Sequence, residues 1–199
     1  MTDTHDQIAG LLLAAGGGRR LGGRPKALLT HRGRPLVEYA VGVLRAGGCG
    51  PVHVVLGAWA DEVRERAELV GCVVVENPDW AEGMGSSLRV GLESLAGAGV
   101  PAAVVSLVDQ PGIGGAAVAR VLGGYRDRNS LVSAAYDGVR GHPVLFGSAH
   151  WAGIAASATG DRGARAYLKA HEEAITLVEC GDVAEPYDID TEADLGHLE

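Results

Sequence analysis

The chain lacks the features that would place it in several broad classes. Its three cysteines, Cys49, Cys72 and Cys180, are an odd set without a C-x-x-C pair. That excludes a disulfide framework and fits a reducing cytoplasm. Only 8 prolines are present and no Gly-X-Y period exists, so the 31 glycines are not those of a collagen. Charged residues are only 21% of the chain and hydrophobic ones 47%, a balance that excludes intrinsic disorder. No apolar run approaches the roughly 18 residues of a membrane span, and the polar start, residues 1–7, is no signal peptide. The 17 basic residues are outnumbered by 25 acidic ones, giving a net charge of −8. General binding to nucleic acid or to an anionic membrane is therefore not expected. The 199 residues suit one domain with one large core.

Short apolar runs alternate with helical patterns, each punctuated by glycine. Residues 8–15 (IAGLLLAA) do not alternate and read as a strand buried on both faces. Residues 35–46 have helical spacing, with Pro35 in the first turn and Gly47 and Gly48 at the stop. Strands are expected at 52–56, 72–76 and 102–108, with helices at 61–69, 86–95 and 116–126. Ser86 and Ser87 are suited to capping the second of these helices. Further on, 131–136, 144–146 and 175–179 read as strands, 164–174 as a helix and 191–198 as a short terminal helix. A Gly141-His142-Pro143 turn is expected between two of those strands. This rhythm predicts an α/β protein with a mostly parallel sheet covered on both faces.

The local charge map runs against the overall charge. Between Asp6 and Glu38 no acidic residue occurs, yet Arg19, Arg20, Arg24, Lys26, Arg32 and Arg34 fall there. The same segment holds Gly16, Gly17, Gly18, Gly22 and Gly23. Glycines after a buried strand let backbone N–H groups approach an anion, and ligands of open parallel sheets bind beyond the carboxyl ends of the strands. A polyphosphate site is expected. No Walker A string G-x-x-x-x-G-K-[ST] is present, and a dinucleotide fingerprint starting at Gly16 fails at Leu21.

The string Leu13-Ala14-Ala15-Gly16-Gly17-Gly18-Arg19-Arg20-Leu21-Gly22-Gly23-Arg24-Pro25-Lys26 resembles the L-A-A-G-x-x-x-R-[ML]-G-x-x-K signature of MobA-like nucleotidyltransferases. The Ala-Ala pair and the Pro-Lys ending resemble the molybdenum cofactor cytidylyltransferases more than their guanylyl relatives. Residues 77–89, Asn-Pro-Asp-Trp-Ala-Glu-Gly-Met-Gly-Ser-Ser-Leu-Arg, are similar to the N-P-x-W-x-x-G-M-x-S-S-L segment of the same group. Asp109 in Val-Asp-Gln-Pro, His142 in Gly-His-Pro, and Asp188 and Asp190 in Asp-Ile-Asp-Thr continue the match in order. One departure is Gly17-Gly18-Arg19, where cytidylyl members carry a polar or Ser-rich stretch.

The resemblance implies a single-domain, Rossmann-like three-layer α/β/α fold, with a nucleotide-binding half at roughly residues 8–112 and an acceptor-binding half at roughly 113–199. It implies transfer of a nucleoside monophosphate, CMP from CTP foremost, to a phosphorylated acceptor, molybdopterin foremost, with release of pyrophosphate. Arg20 and Lys26 are the implied catalytic residues. Leu13, Ala14, Ala15, Gly16, Gly17, Gly18, Gly83, Gly85 and Ser87 are implied to bind the nucleotide, and His142 to lie at the acceptor. Asp109 and Asp190, or Asp188, are implied ligands of Mg2+, which prefers one or two carboxylates plus phosphates and water. A molybdoenzyme or its maturation factor is the implied protein partner. Each assignment has a plainer counterpart: Asp109 as an Asx-turn, Asp190 with Thr191 as a helix cap, Asp194 as a solvated acid, and His142 as an element of the turn alone. The alternative acceptor is a sugar phosphate or another small phosphorylated metabolite. Two other classes compete: a nicotinamide-dependent oxidoreductase on the same sheet, and a cofactor carrier that keeps the fold without the chemistry.

Overall fold

The computed structural model describes residues 7–199; residues 1–6 of the polar start lie outside the described residues. In chain order the strands are β1 (Ala9–Ala14), β2 (Thr30–His31), β3 (Arg34–Pro35), β4 (Val52–Leu56), β5 (Cys72–Glu76), β6 (Ala102–Leu107), β7 (Leu131–Tyr136), β8 (Val139–Gly147) and β9 (Ile175–Glu179). The helices are α1 (Leu36–Ala46), α2 (Ala60–Arg66), α3 (Met84–Ala96), α4 (Gly115–Gly123), α5 (Trp151–Ser157) and α6 (Arg165–Ala170). Seven strands form one sheet in the order β5-β4-β1-β6-β8-β7-β9, while β2 and β3 make a separate ribbon. Strands β5, β4, β1 and β6 run parallel, as do β7 and β9; β8 is antiparallel to both β6 and β7.

Strand β1 shows why the sheet forms here. All six of its residues are buried, and the two-residue period of a strand divides its neighbourhood between two cores. Leu12 and Ala14 join one cluster with Val37, Leu44 and Val118, under α1 and α4. Leu11 and Leu13 join the other with Leu88, Leu92 and Ile154, under α3 and α5. A run without polar alternation is what a central strand between two helical layers requires.

Several boundaries differ from expectation for physical reasons. The Gly141-His142-Pro143 segment lies inside β8, opposite an irregularity in register at Ser133/Ala134 of β7, and the turn is made by Asp137 and Gly138. The helix expected over 164–174 is the shorter α6 followed by a 3-10 turn at Glu172–Ala174. Ser86 does not cap α3; its hydroxyl donates to the carbonyls of Gly83 and Asp79. The terminal helix is a 3-10 stretch, Glu192–His197, capped by Thr191 and Asp194. The sulfur atoms of Cys49, Cys72 and Cys180 are all free thiols. No helix of the described residues is long and apolar enough to cross a membrane.

Candidate functional site

The loop after β1 is built by its glycines and two anchors. Gly18 adopts a left-handed conformation (φ +61°), and its carbonyl accepts from the backbone N–H groups of Leu21 and Gly23. Leu21, the residue that breaks the dinucleotide fingerprint, is fully buried and pins this turn to the core. The Trp59 indole N–H donates to the Gly17 carbonyl at 3.4 Å. Buried Ala27 and Leu28 then fix a 3-10 turn that begins at Lys26. Gly16, Gly17, Arg19, Arg20 and Lys26 line a cavity of about 630 Å³ together with Leu13, Ala14 and Ala15. Gly18 is absent from this lining; it shapes the loop. Arg24 instead pairs with Glu192 at 3.3 Å and Arg32 with Glu199 at 2.8 Å.

Lys26 is the centre of the charged cluster. Its Nζ lies 2.9 Å from Asp109 Oδ2 and 2.5 Å from Asp190 Oδ1, with the Arg20 guanidinium 3.6 Å from the other Asp190 oxygen. Burial pulls the ammonium pKa down and is the largest single influence, but the charge of Asp109 and hydrogen bonds to both carboxylates together hold it above its ordinary value. Asp109 follows β6, and its backbone carbonyl accepts from Ile189 N–H at 2.8 Å, which ties the C-terminal segment to the strand end. Asp194 accepts from the N–H groups of Asp190 and Thr191 and from the Thr191 hydroxyl. The cap is therefore the Thr191–Asp194 capping box, and the Asp190 carboxylate is left to the cluster. Asp188 stands apart from Lys26: its Oδ1 accepts from Gln110 Nε2 at 2.9 Å. Burial, then the Asp109 charge, push the Asp188 carboxyl up, against the Gln110 hydrogen bond.

Opposite the loop, Asn77 organises the segment before α3. It is fully buried, donates to the hydroxyls of Ser86 and Ser87 at 2.8 and 3.0 Å, and accepts from the Asp79 N–H. Trp80, Gly83, Met84 and Ser87 line the same cavity as the loop. Gly85 does not reach it. A side chain at Gly85 would meet the Thr159 backbone nitrogen at 2.8 Å, so this glycine is required by close packing of the chain around residue 159. The three tryptophans divide three ways: Trp80 lines the cavity, Trp59 anchors the loop, and Trp151 is a core residue donating to the Phe146 carbonyl.

A second cavity of about 670 Å³ adjoins the first and shares Leu13, Met84, Leu107, Asp109 and Asp161 with it. His142, Asp188 and Asp190 line this second space. Burial, with Arg165 as a lesser cause, pushes the His142 imidazole down to about 4. The ring is thus neutral near pH 7, able to donate one N–H without carrying charge. Tyr136 holds the strand backbone there, its hydroxyl donating to the His142 carbonyl at 2.7 Å. Asp161, Arg162, Ala164, Arg165 and Leu168 complete the wall. Residues 149–181 carry no motif, and these wall residues were not expected; the sequence signal for them is the pair Arg162 and Arg165, three residues apart. Among the described residues, no group of three or more His, Cys, Asp or Glu is arranged to hold a metal ion.

Comparison with known proteins gives the family and the fold. Residues 10–175 match the family described as the MobA-like NTP transferase domain. The nicotine blue oxidoreductase of Paenarthrobacter nicotinovorans is 41% identical over 191 residues, covering 92% of each chain. A molybdenum cofactor guanylyltransferase of Cereibacter sphaeroides is 37% identical over 109 residues, 55% of this chain and 53% of that protein. Among solved structures, the Mycobacterium sp. strain JC1 homologue of Mycobacterium tuberculosis Rv0371c superposes with a TM-score of 0.78 at 31% identity, over 96% of this chain and 93% of that one.

Proposed function

The chain belongs to the MobA-like NTP transferase family, and on that premise we propose that it transfers CMP from CTP to a phosphorylated acceptor of the molybdopterin type, releasing pyrophosphate. The observation that carries this reading is the Lys26 ammonium held between Asp109 and Asp190, with Asp109 belonging to both cavities. In this reading residues 8–112 supply most of the nucleotide side and residues 113–199 most of the acceptor side.

The triphosphate lies along the Gly16–Gly17 backbone, where N–H groups without a partner among the described residues and the Arg20 guanidinium favour anions. An acceptor phosphate oxygen, approaching from the second cavity, attacks the α-phosphorus in line. One P–O bond forms and the bond to the β-phosphate breaks, so pyrophosphate leaves on the Arg20 side. Lys26 meets the charge that builds on the α-phosphoryl oxygens, and stabilisation of that charge is the main task of the protein. Ala14 and Ala15 put methyl groups on the cavity wall, narrowing it toward a pyrimidine. Asp109 and Asp190 are the two carboxylates that would hold magnesium beside substrate phosphates, in place of their pairing with Lys26. When bound, the ion would neutralise phosphate charge and lower repulsion with the attacking oxygen.

Pyrophosphate release tests the proposal, with CTP, GTP and ATP each offered with molybdopterin or a sugar phosphate. Release with CTP and molybdopterin is expected; release confined to GTP overturns the base, and release confined to a sugar phosphate overturns the acceptor. One observation favours a second reading, an oxidoreductase: the 41% identical relative that carries that name across 92% of its length. It predicts oxidation of NADH or NADPH in the presence of a dye acceptor and no pyrophosphate release with any pair.

A further inference from the structure

The second cavity is as large as the one assigned to the nucleotide, about 670 against 630 Å³, so its occupant is of nucleotide size. Its lining sorts by chemistry. The inner wall is Leu13, Leu88, Val105, Val144, Phe146 and Leu168. At the mouth stands Val139, 69% exposed beside the Asp137–Gly138 turn. The two hydroxyls nearby are already committed: Ser133 donates to the Gly141 and Ala134 carbonyls, and Tyr136 to the His142 carbonyl. The lining also includes Asp109, Gln110, His142, Asp161, Asp188 and Asp190, but a polyhydroxylated body set against the apolar wall would leave the hydroxyls that face it without partners, and buried unpaired polar groups weaken binding. An apolar body loses nothing on this wall.

The rim has the opposite character. Arg140, Arg162 and Arg165 all line the cavity, and none of their guanidinium groups forms a hydrogen bond or ion pair among the described residues. Elsewhere on the molecule Arg24, Arg32, Arg64, Arg66 and Arg120 are each paired with a carboxylate. Arg162 and Arg165 lie three residues apart across the start of α6 and are exposed, free to close on one anion. Guanidinium groups bind phosphate in a bidentate fashion that lysine cannot match.

We propose that this cavity selects an acceptor with an apolar body and an anionic group, the anion gripped by Arg162 and Arg165, and that it discriminates against sugar phosphates. The inference rests on the reading of this space as the acceptor side of nucleotidyl transfer. It adds which acceptors fit, and by which residues.

The test is calorimetric titration of the full chain with 1-naphthyl phosphate, glucose 1-phosphate and inorganic phosphate, separately from any assay of turnover. Naphthyl phosphate should bind at least tenfold more tightly than either of the others. The exposed double substitution Arg162→Ala with Arg165→Ala should weaken naphthyl phosphate at least tenfold and leave CTP affinity within twofold. Equal or tighter binding of glucose 1-phosphate overturns the proposal, as does unchanged naphthyl phosphate affinity in the double variant. Pyrophosphate release separates this from the parent reading. Release with a sugar phosphate, without binding of naphthyl phosphate, sinks only the present inference. Arginine-dependent binding of naphthyl phosphate, without release from any nucleotide, supports the cavity assignment and sinks the transfer reading.

Discussion

At the scale of single residues, Lys26 is the one side chain whose surroundings specify a chemical task. A 16% exposed ammonium between two carboxylates is already neutralised, so replacing it leaves two like charges facing each other. Lys26→Ala is expected to lower kcat at least a hundredfold, while nucleotide affinity, measured by equilibrium titration, falls less than fivefold. Such a split is the mark of an interaction made mainly in the transition state; equal losses in both would reduce Lys26 to a binding residue. Asn77 carries a structural task just as specific. Removing its amide leaves the buried Ser86 and Ser87 hydroxyls without a donor, and Asn77→Ala should cost about 2 kcal/mol in urea unfolding. A loss below about 0.5 kcal/mol would mean that the serines find other partners. Lys26, Asp109 and Asp190 were legible in the sequence because they sit in dense local motifs. Their meeting was not, since it joins residues more than 80 apart, and the Asp194 cap that frees Asp190 looks in the sequence like one more acid in an acidic tail.

At the scale of elements, legibility followed burial. Strands β1, β4 and β6 are apolar runs interrupted only by His53 and Ser106, and their positions matched to within a residue or two because a central parallel strand is buried on both faces. Strand β8 begins Val-Arg-Gly-His-Pro, with polar residues and a proline where it borders the cavity, so its first half reads as a turn although it pairs with β7. The role of the short 3-10 stretch Gly160–Arg162 was likewise invisible, because it is set by packing against the start of α3 and leaves no periodic trace. That packing makes a sharp prediction about Gly85. Its added methyl in Gly85→Ala meets backbone at Ala158 and Thr159, which cannot rotate aside as a flexible side chain would. The variant should lose about 1–3 kcal/mol of stability, and acceptor affinity should fall more than nucleotide affinity, because the displaced segment leads into Arg162 and Arg165. Loss of nucleotide affinity alone would instead mark Gly85 as a base contact.

At the scale of the whole molecule, charge is arranged by region. The acidic C-terminal segment, which holds Glu192 and Glu199, lies across the basic loop region and pairs with Arg24 and Arg32, so an overall charge of −8 coexists with cationic side chains, Arg19, Arg20, Arg140, Arg162 and Arg165 among them, along the two cavities. Titration of the buried histidines follows from the same architecture. An ordinary histidine titrates near 6.5; burial first, and Arg165 second, hold His142 at about 4, and burial also pushes His31 and His53 down. Between those two values the unfolded chain binds more protons than the folded one, so stability rises with pH across the window. Above pH 6.5 the imidazole is neutral in both states and contributes no slope. Carboxylates such as Asp194, held low by hydrogen bonds from Thr191 and Asp190, lose their stabilisation as the pH falls through the ordinary carboxylate range and below it, while Asp188, pushed up by burial and by Asp109, adds above that range a slope of opposite sign that the three histidines outweigh. The urea midpoint of the native protein should therefore fall steadily from pH 6.5 to 4.5. His142→Asn should flatten that fall by one of its three histidine contributions while keeping the midpoint at pH 7.5 close to native. An identical slope in the variant would show that His142 titrates normally, and a neutral imidazole at the acceptor wall would have to be abandoned.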